Sequence, residues 1–325
     1  VRVLIVKLSS LGDVVHTMPA VQDIRARVPG ARIDWVVEKG FAPLVARCEG
    51  VAQTIPCELR RWSKAPLSRE TRHDWRTFRQ RLRGERYDAI VDLQGLTKSA
   101  LIARAARTSE GGRRFAMANR THGASYEAPT RWVADVAIQL DPHVHAVQRS
   151  REICARAFGY DIPAQLRFGL HAHATADVDR RRAVCLVHGT SREDKCWPLA
   201  NWVSLGRRLI AQGHEIALPH GNDEERARSE RIARELGGSA QVWPRLDLGA
   251  LTDRIAGCAG VIGVDSGLSH IAVALDVPHV QIYNFDTAWR TGPIDSVKQR
   301  SVFAQPTPSL DAVWNAWQAV TRASA

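Results

Sequence analysis

The sequence predicts an α/β fold built as two Rossmann-like domains that face each other across a cleft. Three observations carry this reading. Short β-branched apolar runs alternate with amphipathic stretches in both halves, the signature of βαβ units and parallel sheets. The rhythm breaks once, at 161–182, where Pro163 and a run of Asp and Arg read as a connector, and then restarts. At 325 residues the chain can bury two cores. The domains are expected at 1–165 and 177–307, with the helix 308–325 packing back near the first.

The first element is also the most informative. VRVLIVKLSSLGD (1–13) runs from a buried strand through a tight turn into the helix VVHTMPAVQDIRARV. Helix amides at the carboxyl end of such a strand face the edge where open α/β sheets bind ligands. Asp13 stands at that edge, and its position fits an active-site carboxylate as well as a helix cap. IDWVV (33–37) is the next strand, GFAPLVARC a helix, QTIPCEL (53–59) a strand and 68–84 a charged helix. YDAIVDLQG (87–95) and RRFAM (113–117) are strands around the helix TKSALIARAA, and RRFAM is expected to close the half-sheet. Residues 118–140 read as a loop, and 145–160 as a helix ending near Gly159.

In the second half AVCLVHG (183–189), EIALPHG (215–221), VIGVDSG (261–267) and HVQIYN (279–284) are strands. LANWVSLGRRLIAQG, DEERARSERIARELGG, LGALTDRIAGC and LSHIAVALD are the intervening helices. SLDAVWNAWQAVTRA is the last helix, with Trp314 and Trp317 placed for packing.

Composition narrows the function. No apolar run reaches the roughly 20 residues of a bilayer span, and the opening strand lacks the features of a signal peptide. Six scattered cysteines without a C-x-x-C pair are expected to be reduced thiols rather than a zinc site. The net charge of +11 is concentrated at 59–86, where ten Arg or Lys face three acids, which points to an anionic partner. Arg60-Arg61-x-x-Lys64 is the expected contact, whereas 69–86 reads as a solvated helix face. No G-x-G-x-x-G or P-loop occurs, which argues against a dinucleotide enzyme or a P-loop NTPase.

Three further loops carry chemistry. Thr190-Ser191-Arg192-Glu193-Asp194-Lys195 precedes a helix and offers hydroxyls and a lysine to phosphate oxygens. Asp265-Ser266-Gly267-Leu268-Ser269-His270 is an anion nest, with Gly267 permitting close backbone approach. Gly221-Asn222-Asp223-Glu224-Glu225 offers carboxylates to ribose hydroxyls, or simply complements the helix dipole.

Together VRVLIVKLSSLGDVVHTMPA, DWVVEKGFAPL, RRWSK, YDAIVDLQGLTKSA, TSREDKCWP and VDSGLSHIAVAL resemble the lipopolysaccharide heptosyltransferases over nearly the whole chain. These are inverting glycosyltransferases of the GT-B fold, and SSLGDVVHT favours their type I over type II. The resemblance implies transfer of L-glycero-D-manno-heptose from ADP-heptose to the first Kdo of Kdo2-lipid A. It makes Asp13 the base and Lys195 the residue holding the donor phosphate, with Thr190 and Ser191 beside it. Asp265, Ser266, Gly267 and His270 match the donor turn, Asp223 or Glu224 the ribose acid, and Leu246 the adenine contact. Arg60, Arg61, Lys64 and Arg120 match acceptor-binding cations, while Ser63 departs from an arginine there. The first loop, with Ser10 and Gly12, is left to the acceptor.

With no Asp-x-Asp motif, no metal or other cofactor is expected to be obligatory. The expected setting is the cytoplasm, peripheral on the inner membrane, without nucleic acid as a partner. The alternatives are a type II enzyme, a non-catalytic anion or nucleic-acid binder, and a sugar-nucleotide epimerase, which would consume donor without acceptor.

Overall fold

The computed structural model describes residues 1–173, 182–294 and 296–323. The chain divides into two compact units, Val1–His171 and Ala172–Ala325. The first boundary lies beyond the expected residue 165. The reason is that Glu49 N donates to Gly169 O and His171 N to Arg47 O, while Cys48 bridges Leu170. These contacts tie the segment up to His171 to the first unit.

In the first unit β1 (Arg2–Val6), α1 (Leu11–Arg27), β2 (Arg32–Glu38), α2 (Ala42–Val45), β3 (Val51–Cys57), α3 (Leu59–Trp62) and α4 (Arg69–Arg83) come first. There follow β4 (Arg86–Asp92), α5 (Thr97–Ala105), β5 (Arg107–Met117), α6 (Thr130–Val133), β6 (Val136–Ile138) and α7 (Ala146–Phe158). The strands form a parallel sheet in the order β3-β2-β1-β4-β5-β6. Val3, Leu4, Ile5 and Val6 are all fully buried, as expected for a central parallel strand covered on both faces. RRFAM therefore does not close the sheet. Phe115, Ala116 and Met117 pair with Val136, Ala137 and Ile138 inside the stretch expected to be loop. Three residues are too few to show periodicity.

The second unit repeats the plan. It contains β7 (Ala183–Val187), α8 (Leu199–Ala211), β8 (Glu215–Leu218), α9 (Asp223–Leu236), β9 (Ala240–Val242), α10 (Leu248–Ala256) and β10 (Gly260–Val264). After these come α11 (Gly267–Ala274), β11 (His279–Tyr283), α12 (Ala288–Thr291), β12 (Gln299–Phe303) and α13 (Leu310–Arg322). Its sheet order is β12-β11-β10-β7-β8-β9, the same permutation as the first sheet when its own strands are counted from one.

The final helix corrects one expectation. The apolar face of α13 is spent in the second core, where Val313, Trp317 and Val320 are fully buried with Leu186, Trp202 and Ile262. Gly260 is what lets it approach. A Cβ there would lie 2.7 Å from the Trp317 ring and 2.6 Å from Pro278 O. Trp197 Nε1 also donates to Pro308 O at 2.8 Å. Helix α13 thus belongs to the second unit.

Each sheet reverses its winding once, between β1 and β4 in the first unit and between β7 and β10 in the second. Loops at the carboxyl ends of strands flanking such a reversal splay apart and leave a crevice. The loops that the sequence singled out after β1, β7 and β10 all lie at these points.

Candidate active site

In the first unit the β1 and β4 loops are pinned together. Gln94 Oε1 accepts from Leu8 N at 2.9 Å and Ser9 N at 3.1 Å. Ser10 then caps α1, and Asp13 completes a capping box from the third helical position. Its Oδ2 accepts from Ser10 Oγ at 2.9 Å and Ser10 N at 3.3 Å. Asp13 is therefore not the cap residue itself; Ser10 is, and the helix end uses only one side of the carboxylate.

The other oxygen faces cations. Arg149 Nη2 on α7 lies 3.2 Å from Asp13 Oδ1, and Lys7 Nζ lies 3.5 Å away. Burial raises the Asp13 pKa, but Lys7, Arg149, His16 and the Ser10 hydroxyl together reverse this and hold it well below the usual carboxylate range. The side chain stays one-third exposed, so an ionised carboxylate is offered to solvent. Lys7 and Arg149 are themselves almost wholly buried. Lys7 Nζ donates to Leu93 O at 3.0 Å, and Arg149 Nη1 to Thr121 Oγ1 at 3.3 Å. Gly12 is buried in the first turn, and Thr17 Oγ1 donates to Asp13 O.

Asp92 sits below this cluster, 2% exposed at the end of β4. It accepts from Gln94 N, Gly95 N and Ser99 Oγ. Burial outweighs these bonds and the nearby Lys7 charge, pushing its pKa up to about 6. Between about pH 4 and pH 6 the folded chain keeps a proton that the unfolded chain has released. Stability therefore falls as pH rises through that window, by about 3 kcal/mol in total. Asp92→Asn is expected to flatten that slope when urea midpoints are measured from pH 4 to 7. An unchanged slope would assign it to another group.

The second unit builds a site of opposite sign. Lys195, in a turn at Glu193–Lys195, places Nζ 2.6 Å from Asp265 Oδ2 at the end of β10. His270 Nε2 on α11 lies 3.6 Å from Asp265 Oδ1, and Thr190 Oγ1 donates to Asp265 O at 3.4 Å. Burial favours the neutral Asp265 acid, but His270 and then Lys195 outweigh it and hold the pKa far below its ordinary value.

Ser266 caps α11 with a buried hydroxyl that has no partner among the described residues. Gly267 opens the helix. Asn284 fixes the lysine turn: its Nδ2 donates to Asp194 O at 2.9 Å and Cys196 O at 3.0 Å. Thr307 Oγ1 in turn donates to Asn284 Oδ1 at 2.7 Å.

Thus Thr190, Lys195, Asp265, Ser266, Gly267 and His270 come together at the β7/β10 reversal. Ser191 is exposed beside them, and half-buried Leu246 lies in the loop after the edge strand β9, two strands from β7. Asp223 and Glu224 are exposed in the first turn of α9. The third acid of that stretch, Glu225, reaches the β7 loop instead. It accepts from Gly221 N at 2.7 Å, and a Cβ at Gly189 would come within 2.6 Å of its carboxyl carbon.

Of the basic residues, Arg60, Lys64 and Arg120 are exposed. Arg61 is committed internally, to Glu58 at 3.0 Å, Glu70 at 2.9 Å and Asp74. Ser63 donates to Arg60 O at 3.1 Å.

Sequence reasoning passed over Lys7, Gln94, Arg149 and Asn284. Lys7 alone had a signal, a cation closing an apolar strand. Among the described residues no cluster of three or more His, Cys, Asp or Glu could hold a metal ion, and no helix is long and apolar enough to cross a membrane.

In the second unit a lysine and a buried hydroxyl beside a helix amino terminus suit the binding of a phosphorylated group. The model of glycosyltransferase family 9 (heptosyltransferase) matches residues 75–313, and the chain belongs to that family. Within the family it is similar to lipopolysaccharide heptosyltransferase 1 of Pseudomonas aeruginosa, 38% identical over 290 residues, covering 87% of this chain and 78% of that protein. Two solved structures are similar over almost their whole length. The E. coli heptosyltransferase WaaC with ADP has a TM-score of 0.87 at 33% identity, covering 97% of this chain and 98% of that one. The same enzyme with ADP-2-deoxy-2-fluoro heptose has a TM-score of 0.82 at 33% identity, with both chains fully covered. The chain is a heptosyltransferase of lipopolysaccharide inner-core biosynthesis.

Proposed function

We propose that this enzyme transfers L-glycero-D-manno-heptose from ADP-heptose to the first Kdo of Kdo2-lipid A, with inversion at the anomeric carbon. The observation that carries the donor half is the Lys195–Asp265 pair beside the α11 amino terminus, at a topological reversal. The relative solved with ADP-2-deoxy-2-fluoro heptose supports the same donor class.

In this reading Asp13 accepts the proton of the acceptor hydroxyl while that oxygen attacks the anomeric carbon. The bond to the diphosphate oxygen breaks, and its electron pair leaves with ADP. Lys195, Ser266 Oγ and the α11 amides meet the charge that develops there. Thr190, Ser191 and His270 flank the phosphates, Asp223 or Glu224 takes the ribose, and Leu246 takes the adenine. Lys195 and the α11 amides supply the positive charge without a metal ion or other cofactor. Arg60, Lys64 and Arg120 offer cations to the acidic acceptor, with Ser10 and Gly12 at its sugar end. Such an acceptor places the enzyme at the cytoplasmic face of the inner membrane, bound peripherally.

The test is release of ADP from purified enzyme. ADP is expected only when ADP-heptose and Kdo2-lipid A are both present. Conversion of ADP-heptose without acceptor would overturn the reading in favour of an epimerase or hydrolase.

A further inference from the structure

We propose that the corner formed by α3 and α4 is a membrane-docking site that takes an acyl chain and the phosphate of an anionic bilayer phospholipid. It rests on the preceding reading only in placing the enzyme at a membrane, and it needs neither donor nor acceptor chemistry. A pocket of about 670 Å³ opens between the two helices, within the ~300–1,000 Å³ range of ordinary ligand sites. Its apolar wall comes from Leu59, Trp62, Pro66 and Trp75. Trp62, Trp75 and Phe78 pack mutually with ring centroids 5.5–5.6 Å apart. Its rim is cationic: Arg60, Arg72, Arg76, Arg79 and Lys98, with no carboxylate among the lining residues.

The acids of α4 are absent from this rim for a structural reason. Glu70 and Asp74, two acids of α4, are drawn away by Arg61. Arg72, Arg76 and Arg79 then recur at helical spacing beside Trp75 on one stripe.

A merely solvated helix face, which the sequence suggested for this stretch, would not carry a tryptophan within its arginine row. Interfacial helices do, because the ring enters the acyl boundary while long cationic side chains reach phosphates. Trp75 is 38% exposed, and Leu67 just before α4 is 83% exposed. They extend the apolar surface outside the pocket, which favours a bilayer over a single dissolved amphiphile.

The experiment is flotation of the intact chain with phosphatidylcholine vesicles, with and without phosphatidylglycerol, in the absence of donor and acceptor. Binding is expected only to the anionic vesicles. Changing Arg72, Arg76 and Arg79 together to Gln should weaken it ~100-fold, from the contribution of each cation near an anionic surface. Leu67→Ser removes a side chain outside the aromatic trio and should weaken binding ~5-fold, consistent with loss of part of one buried apolar side chain. Brominated acyl chains should quench the wild-type fluorescence, and the Trp75→Phe variant should lose part of that quenching, the remainder coming from Trp62 in the same wall.

All these variants should keep their rate on a deacylated, water-soluble acceptor. Equal binding to neutral vesicles, quenching undiminished in Trp75→Phe, or displacement by glycerol phosphate as strong as by vesicles would overturn the proposal. Vesicle binding by a chain that releases no ADP would instead overturn the transferase reading alone.

Discussion

Asp13→Asn is expected to lower kcat by roughly 10²- to 10⁴-fold, the usual contribution of a positioned proton acceptor. ADP affinity should stay near the native value, because the groups proposed to hold ADP lie in the other unit. Asn is the informative replacement. Its side-chain oxygen can still accept from Ser10, so the capping box survives in part while the negative charge is lost. The cost falls on the cations. Lys7 and Arg149 are both buried, and deleting their shared counter-charge is expected to cost about 3–5 kcal/mol of stability. Turnover must therefore be measured well below the melting temperature of the variant, with hydrogen exchange of the first unit as the check on folding. Near-native kcat in a folded Asp13→Asn protein would remove Asp13 from the base role. The low pKa does not: a weak base serves when proton transfer comes late, after the bond to the leaving diphosphate has largely broken.

What surrounds Asp13 marks the boundary between what the sequence displays and what it hides. The strand–turn–helix at its start is a local pattern, and an abrupt end to an apolar run places a loop at a sheet edge without further help. The same holds for the turns after β7 and β10, so both loops proposed to hold the donor were legible as loops at a sheet edge. Arg149 was not. It lies 136 residues from Asp13, within a helix read by amphipathicity, and that logic assigns charged residues to solvent. Arg149 and Arg151 are 4% and 2% exposed instead. Arg149 is turned toward Asp13, and Arg151 is paired with Asp23 at 2.7 Å. A charge buried against a counter-charge inverts the periodic rule.

Arg61 fails in the opposite direction. Sequence presents it as one of a basic cluster, whereas three acids from neighbouring elements absorb it. Short edge strands are a third kind of omission. β9 has three residues and β12 five, with Arg300, Ser301 and Phe303 exposed, so neither shows the apolar run that marks a central strand. Helix α13 was seen, but its destination was not, because an apolar stripe says that a helix packs and not against what.

Lys195→Met is the complementary experiment, with its effect expected on the donor. A charge-assisted hydrogen bond contributes about 1.5–3 kcal/mol, so the ADP dissociation constant should rise roughly 10- to 150-fold by calorimetry. A further fall in kcat is expected at saturating donor, since the leaving diphosphate gains charge as the glycosyl bond breaks and the lysine meets it most strongly there. The lysine also has a task in the free enzyme. Asp265 is 7% exposed and keeps its low pKa through His270 and Lys195. Without the lysine the Asp265 pKa rises. Stability from a carboxylate depressed in the folded state is present above its unfolded pKa and lost as pH falls through the folded one. Acid unfolding should therefore begin at a higher pH in Lys195→Met than in the native chain. Lys195→Arg separates the two tasks. It keeps a cation beside Asp265, and hence the acid midpoint, but a planar guanidinium cannot reproduce an ammonium seated 2.6 Å from Oδ2, so donor affinity should be only partly restored. If both substitutions leave ADP affinity native, Lys195 is a partner of Asp265 alone and the donor is held elsewhere.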